Sequence, residues 1–412
     1  MQDSYDAVVI GGGPAGMMAA ATAGKRGKRV LLLEKNPTLG VKLLITGGGR
    51  CNVTNNKPDP RLLAASYGAA GNFLHSTFAQ HAVLDTIAYF RALGVEFVEE
   101  NEGRLFPSTH RAQTIFNALV ADIAQAKVVV RCGKVVKNIE PASSGGFLIT
   151  MTRGEVVKAL VCILATGGKA RPETGSTGEG FLWLRALGHT VTEDTLGLVP
   201  LKSPDAWVHT LGGVTLPDVG ISVCVDREVR VKKRGKLLFT HSGVSGPGVL
   251  QLSQQVGMLL PTGTVTLALD LQPELDYANL RVKLQTLLVD ESNKKLKNVL
   301  SSLVQTALVA PLLTQAEIDG DTPSHSVLRA DRDSITRVLK SFRLTISGLH
   351  GPDKAVVAGG GVSLTEVDFK TMESRKVPGL YLIGDILNIN RPSGGYSLQL
   401  CWSTGYVAGS TV

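Results

Sequence analysis

Ala7-Val8-Val9-Ile10-Gly11-Gly12-Gly13-Pro14-Ala15-Gly16, the Ala-rich stretch Met17 to Arg26, and then Val30-Leu31-Leu32-Leu33-Glu34 together decide the fold of this chain. The apolar run at 7–10 reads as a buried parallel strand, 17–26 as a helix and 30–33 as a second strand. The glycines between strand and helix each have a physical task. Gly11 permits the tight turn, Gly13 lets backbone approach a pyrophosphate, and Gly16 lets helix and strand pack closely. Pro14 and Ala15 complete the turn ahead of the helix, whose N-terminus faces the phosphates with its dipole and free N–H groups. Glu34 ends the second strand, where an acid accepts ribose hydroxyls. Strand, glycine turn, helix, strand and acid in this order imply dinucleotide binding, which a lone GxGxxG would not. The motif by itself does not separate FAD from NAD.

Two later segments do. Val161-Cys162-Ile163-Leu164 reads as a strand that runs into Ala165-Thr166-Gly167-Gly168, and Gly379-Leu380-Tyr381-Leu382-Ile383 as one that runs into Gly384-Asp385. Each alone also reads as a strand ending in a turn. A Gly-Asp end leaves room for a cofactor and brings an acid to its ribityl or pyrophosphate part. The ordered triple resembles the FAD domains of glutathione-reductase-like flavoproteins. Because Gly11 and Asp385 must reach one cofactor, the domain is expected to be split, with an insertion between its halves. Gly220–Val231 and Thr264–Asp270 alternate as strands do, Leu275–Leu313 has helical periodicity with a polar break at 290–293, and Asp331–Lys340 reads as a further helix.

Composition sets the outer limits. At 412 residues the chain exceeds one simple core, so two or three domains are expected. No apolar run reaches membrane-spanning length, and the start at Met1 lacks the basic and apolar regions of a signal peptide, so a cytoplasmic location and no membrane partner are expected. Cys51, Cys132, Cys162, Cys224 and Cys401 are widely scattered, which argues against a disulfide framework, a zinc knuckle or any metal site, and against a redox dithiol beside a flavin. The net charge of +8 suits attraction to a polyanion such as RNA, although net charge alone says nothing of clustering. Local clusters stand at Arg227, Arg230, Lys232, Lys233, Arg234 and Lys236, and at Lys294, Lys295 and Lys297.

Further segments carry a family resemblance along almost the whole chain. They are Thr46-Gly47-Gly48-Gly49-Arg50-Cys51-Asn52-Val53-Thr54-Asn55, Gly103-Arg104-Leu105-Phe106-Pro107, Thr174-Gly175-Ser176-Thr177-Gly178 and Leu198-Val199-Pro200-Leu201. Leu238-Phe239-Thr240-His241-Ser242-Gly243-Val244-Ser245-Gly246-Pro247, Gly359-Gly360-Gly361-Val362 and Gly394-Gly395-Tyr396-Ser397-Leu398-Gln399 complete the set. The sequence resembles the YhiN/BaiN-type bacterial flavoproteins, also described as aminoacetone oxidase family FAD-binding enzymes. It departs from them in the tail, where Gly384-Asp385 and Leu387-Asn388 stand for Gly-Glu and Leu-Asp, Asn-Arg-Pro-Ser at 390–393 replaces a Gly-containing loop, and Ser397 replaces Asn. The resemblance implies an α/β fold: a glutathione-reductase-like split FAD-binding Rossmann domain (1–194 and 346–412) with an inserted β-rich domain (195–270 and 325–345) and a helical subdomain (271–324). It also implies reduction of carbon–carbon double bonds, either in a uridine of 23S ribosomal RNA, giving dihydrouridine, or in a small enone such as an oxidised bile acid. NAD(P)H would be a transient reductant, since no second GxGxxG is present. A non-enzymatic FAD-binding protein is the reading that the altered tail leaves open.

Joined to the residues already named, the resemblance gives the cofactor-binding set Gly11, Gly13, Pro14, Ala15, Gly16, Glu34, Lys35, Lys42, Gly48, Gly49, Arg50, Cys51, Val135, Ala165, Thr166, Gly167, Gly384, Asp385, Gly395, Tyr396, Ser397 and Leu398. Reduction of an enone or uracil ring also needs a proton beside the carbonyl. Cys51, in a glycine-rich turn, is the first candidate donor, provided its thiol is partly exposed; a buried inert thiol is the alternative. His241, in a Thr-His-Ser-Gly turn, is the second, against a structural role. Tyr396 is the third, against simple packing. The Thr174–Gly180 turn reads either as a backbone phosphate or flavin site or as a helix cap.

Overall fold

The computed structural model describes residues 4–192, 198–351, 354 and 359–412. The start at Met1 and the expected boundary at 194/195 lie outside these. The chain divides into two compact units, one of residues 1–197 and 352–412, the other of residues 198–351.

The first unit is built on a sheet in which Val129–Arg131, Val30–Leu33, Ser4–Ile10, Val156–Leu164 and Leu380–Leu382 lie side by side in that order, all parallel. The apolar runs end up here because parallel strands are covered on both faces: Ala7, Val8, Val9, Leu31, Leu32, Ile163 and Leu164 are fully buried. The helix Pro14–Lys25 crosses between the first two strands, starting three residues earlier than Met17 because Pro14 pre-sets its first turn. The helix Tyr396–Thr411 packs against it. Gly405 and Gly409, one turn apart, lie so close to the carbonyls of Ala15 and Ala19 that a Cβ on either would come within 2.6 Å and 2.5 Å of them. Small residues on both helices thus tie the C-terminal segment to the N-terminal strand-turn-helix.

The second unit carries a seven-stranded antiparallel sheet in the order Phe342–Ile346, Val265–Asp270, Thr215–Val225, Glu228–Thr240, Gly243–Ser245, Leu201–Lys202, Gly348–Leu349. The alternating stretch 220–231 is not one strand. It spans a hairpin whose two loop residues, Asp226 and Arg227, have φ of 48° and 76°. Two-residue hairpin loops of this hand match the strand twist, but usually advertise themselves with Asn-Gly or Asp-Gly. The helical stretch divides into Tyr277–Asp290, Leu296–Leu300 and Thr306–Ala316, followed by Arg329–Lys340. Leu280, Leu284, Leu308, Leu312, Ile335 and Leu339 share one core with Ile221, Leu267, Phe239 and Phe342 of the sheet. The helices expected as a separate subdomain are therefore the cover of this sheet's apolar face. Strand Gly348–Leu349 also carries the unit to residue 351, past the expected edge at 345/346.

Candidate functional site: a cleft at the strand ends

A cleft opens in the first unit beyond the C-terminal ends of the parallel strands, the usual ligand position in such sheets. Gly11, Gly13, Pro14, Ala15, Glu34, Lys35, Lys42, Ala165, Thr166, Gly167 and Asp385 all line it.

The three fingerprint glycines are needed for three different reasons. Gly11 has φ of +109°, and a Cβ there would meet the Ala165 carbonyl oxygen at 2.4 Å. A Cβ on Gly16 would come within 1.9 Å of the Gly11 oxygen, so Gly16 serves packing and does not line the cleft. Gly13 has an ordinary φ of −80°, and a Cβ there would meet no protein atom within 4 Å. Nothing in the protein itself calls for glycine at 13; the space beside it in the cleft does. The helix behind it presents unbonded first-turn N–H groups and a positive dipole end to the same space. Glu34 is buried at the cleft edge, one carboxylate oxygen accepting from Gly12 N at 2.7 Å and the other from Asn36 N at 2.7 Å. A carboxylate so held keeps lone pairs for ribose hydroxyls.

Asp385 stands between two cations, with Lys42 Nζ 3.6 Å from one oxygen and Arg391 Nη1 3.4 Å from the other. Ser397 Oγ donates to it at 3.4 Å. Burial pushes the Asp385 carboxyl up, but Arg391, then Lys42 and Ser397, outweigh it and hold the group below the usual carboxylate range. The Arg391 side chain is 0% exposed, its Nη2 donates to Leu387 O at 3.3 Å, and its Nε and Nη1 have no hydrogen-bond acceptor. Lys35 is engaged with Thr177 and Glu179, at 2.6 Å and 2.7 Å.

Other sequence candidates lie elsewhere. Val135 is 37% exposed and its carbonyl accepts from Thr152 N; the neighbouring Val136 lines the cleft instead. Gly48 and Gly49 form an exposed left-handed turn, and Arg50 is paired with Glu100 at 2.6 Å over the Phe106 ring. None of the three lines the cleft, nor do Gly384, Gly395, Tyr396, Ser397 and Leu398. Gly384 is a packing glycine, 3.0 Å from Ala15 Cβ by its own would-be Cβ, and Gly395 caps the last helix against Thr54. Leu398 is buried in the core.

Cys51 does not meet the condition for a proton donor. It is 0% exposed, closes the 46–51 turn at φ of 61°, and burial pushes its thiol up to about 12. The group stays protonated, but nothing can reach it. Tyr396 is likewise buried, edge-on to Tyr67, whose hydroxyl donates to the Tyr396 carbonyl at 2.8 Å. His241 belongs to the second unit, where its ring is exposed over Gly212. The 174–178 turn is not a side-chain helix cap, since the N-cap is Gly178; Thr174, Gly175 and Ser176 line the cleft. Sequence reasoning passed over Gly12, Asn36, Lys134, Trp183 and Cys401, which also line it. Asn36 had the one available signal, its place just past the acid.

Residues 5–411 match the HI0933-like protein Rossmann domain family. This chain belongs to the HI0933-like flavoprotein family. Its relatives include the ribosomal RNA dihydrouridine synthase of Escherichia coli K12, 32% identical over 98% of this chain and 97% of that protein. The 3-dehydro-bile acid delta(4,6)-reductase of Clostridium scindens is 31% identical over 97% of each. Among solved structures, a flavocytochrome c3 fumarate reductase has a TM-score of 0.55 at 16% identity, covering 99% of this chain and 78% of that one. The 3-ketosteroid-delta4-(5alpha)-dehydrogenase of Rhodococcus jostii RHA1 has 0.55 at 14% identity, covering 99% and 96%. These two speak for the fold alone. The family member described here is thus a flavin-dependent oxidoreductase, and its cleft fits FAD: room beside Gly13 for pyrophosphate, Glu34 for ribose, and an ionised Asp385 for hydroxyls. Among the described residues no group of His, Cys, Asp and Glu is placed to hold a metal ion, and no helix is long and apolar enough to cross a membrane.

Proposed function

We propose that this flavoprotein reduces the electron-poor C=C bond of a uracil ring in 23S ribosomal RNA, giving dihydrouridine, with NAD(P)H as the source of electrons. The full-length likeness to the Escherichia coli synthase carries this reading, and the chain's net charge of +8 favours a polyanionic substrate. When bound, the flavin supplies the hydride that the alkene accepts. The protein's part is to hold the dinucleotide and to supply a proton. The backbone at Gly11–Gly13 and the helix at Pro14 take the pyrophosphate, Glu34 the adenosine ribose, and Asp385, kept ionised by Arg391 and Lys42, the hydroxyls of the other half. The hydride leaves negative charge on the carbonyl side of the ring, which a proton must quench. Cys51 and Tyr396 are both buried, which speaks against either as the donor.

The deciding experiment is mass spectrometry of ribosomal RNA nucleosides from a strain lacking the gene. Loss of a dihydrouridine, restored by the intact gene, is the expected result. An unchanged dihydrouridine content would overturn the reading and favour the second, a small-molecule enone reductase, for which the likeness to the bile-acid enzyme speaks. An FAD-loaded protein that neither NADH nor NADPH reduces would leave only a non-enzymatic FAD-binding role.

A further inference from the structure

The run Arg227–Lys236 looks uniform in sequence, but the sheet sorts it. In strand Glu228–Thr240, Leu237 and Phe239 point into the core at 0% exposure, so Lys236, Arg234 and Lys232 stand on the opposite, outer face; the register shifts at Arg230, which brings Val229 opposite Cys224. Leu201 is buried and Lys202 beside it is exposed on that same outer face. The register extends the pattern. Lys232 pairs with Ser222, Ser222 with Ala268, and Ala268 with Arg343, making one rung across four strands. Lys232 and Arg343 end this rung, about 14 Å apart at the backbone by the usual strand spacing. Between them the floor is low: Gly220, Ser222, Cys224, Thr266, Ala268 and Thr345. The helices that share a core with this sheet do so on its apolar face.

The cations of this face are not equivalent. Arg234 is held by Asp218 and Glu274, and Arg230, at the register shift, is paired with Glu228 at 2.9 Å. Asp270 is taken by Lys340 at 2.5 Å, so these acids are already engaged. Lys202, Lys232, Lys236 and Arg343 are exposed and have no ion-pair partner among the described residues. The other lysine cluster differs: Lys294 is paired with Glu291, and Lys295 and Lys297 with Asp321, each at 2.8 Å.

We propose that the outer face of the seven-stranded sheet is an RNA-docking surface, on which Lys202, Lys232, Lys236 and Arg343 bind backbone phosphates across a floor of small side chains. The proposal rests on the RNA reading given above. Its support is charge complementarity with low relief: cations without an ion-pair partner at the edges, small side chains between them, and Asp218, Glu274 and Asp270 already engaged with Arg234 and Lys340. Neutralising one phosphate with one such cation contributes about 0.7–0.9 to the slope of log K against log salt.

The test compares three FAD-loaded full-length proteins in binding to deproteinised 23S ribosomal RNA across a salt series. They are wild type, the variant Lys232→Ala/Lys236→Ala/Arg343→Ala, and the control Lys294→Ala/Lys295→Ala/Lys297→Ala. Flavin content and melting temperature confirm that each is folded. The face variant should bind on the order of a hundredfold more weakly near 0.1 M salt, with a slope lower by roughly 2–3, while the control binds as wild type does. A face variant with wild-type binding, or a control weakened equally, overturns the assignment of the surface and leaves the RNA reading standing. No salt-sensitive RNA binding by wild type, together with intact dihydrouridine in the deletion strain, removes the RNA reading and the surface with it.

Discussion

Arg391 is the residue whose removal should disturb the cofactor cleft most without touching its lining. Its guanidinium is 0% exposed and lies 3.4 Å from Asp385. At an effective dielectric of about 20, unit charges at this distance attract by roughly 5 kcal/mol. Lys42 remains on the other carboxylate oxygen at 3.6 Å and compensates in part. Removing one partner of a buried pair commonly costs about 3–5 kcal/mol, so Arg391→Met should destabilise the first unit by about 3 kcal/mol at neutral pH. That corresponds to a fall in melting temperature of roughly 5–10 °C. The sign of the pH response distinguishes this cause from mere loss of packing. In the intact protein the Asp385 carboxyl sits below its ordinary value, so its stabilising contribution is present above about pH 4 and is lost only as the pH falls through the folded value. Without Arg391 the largest remaining influence is burial, which raises the carboxyl. The variant's deficit should therefore be greatest at neutral pH and shrink as the pH is lowered toward about 5, where protonation relieves the uncompensated charge. Melting curves of wild type and variant, recorded without added FAD from pH 5 to 8, read this directly. A deficit that is constant across the range would refute the electrostatic role, and no deficit at all would refute the pairing.

Gly13→Val should abolish FAD binding, seen as loss of flavin absorbance, while the apoprotein melts near the wild-type temperature, because the new side chain enters the cleft and meets no protein atom at its Cβ. Gly16→Ala should instead lower the melting temperature of the protein itself, through its clash with the Gly11 carbonyl; a normal apoprotein with only FAD lost would contradict that. His81 is 2% exposed, its ring accepts or donates at Thr86 Oγ1 at 3.1 Å, and burial lowers it to about 4. An imidazole depressed in this way stabilises the fold above its unfolded value near 6.5 and loses that contribution, about 3 kcal/mol, as the pH falls toward 4. His81→Gln should flatten the acid limb of the melting profile, and an unaltered limb would assign acid sensitivity elsewhere. Cys51→Ala should leave both half-reactions at wild-type rates, and the native thiol should resist alkylation until the protein unfolds; rapid native labelling would contradict its burial.

The parts of this molecule that could be read in one dimension are those fixed by local geometry. Gly11, Gly13 and Gly16 announce a strand-turn-helix because each is required within a few residues of itself, and Val161–Leu164 and Leu380–Leu382 announce buried strands because both their faces are covered. What stayed hidden depends on pairing between distant segments. Asp226-Arg227 does not look like a hairpin loop, so two strands read as one. Val135, which faces away, and Val136, which lines the cleft, are adjacent, and periodicity does not locate the start of a strand to that accuracy. The helices of 277–316 looked independent because their apolar stripes do not name the surface they cover.

Charge is where sequence and structure diverge most, and for one reason. Composition counts cations, whereas chemistry depends on what faces each of them. Arg391 sits in a polar tail among Asn, Pro and Ser, and it is buried against Asp385 and governs the ionisation of a cleft acid. Arg50, beside three glycines, looked poised for a cofactor and is instead bound to Glu100. Arg234 and Lys232 are two residues apart on one strand face, but the first is neutralised by Asp218 and Glu274 while the second is free. The register that places Ala268 between Lys232 and Arg343 also keeps acids off that rung. A basic sequence becomes a phosphate-binding surface only where folding leaves its cations unpaired and side by side, and in the second unit that condition is met on the outer face of the sheet and not in the Lys294–Lys297 cluster.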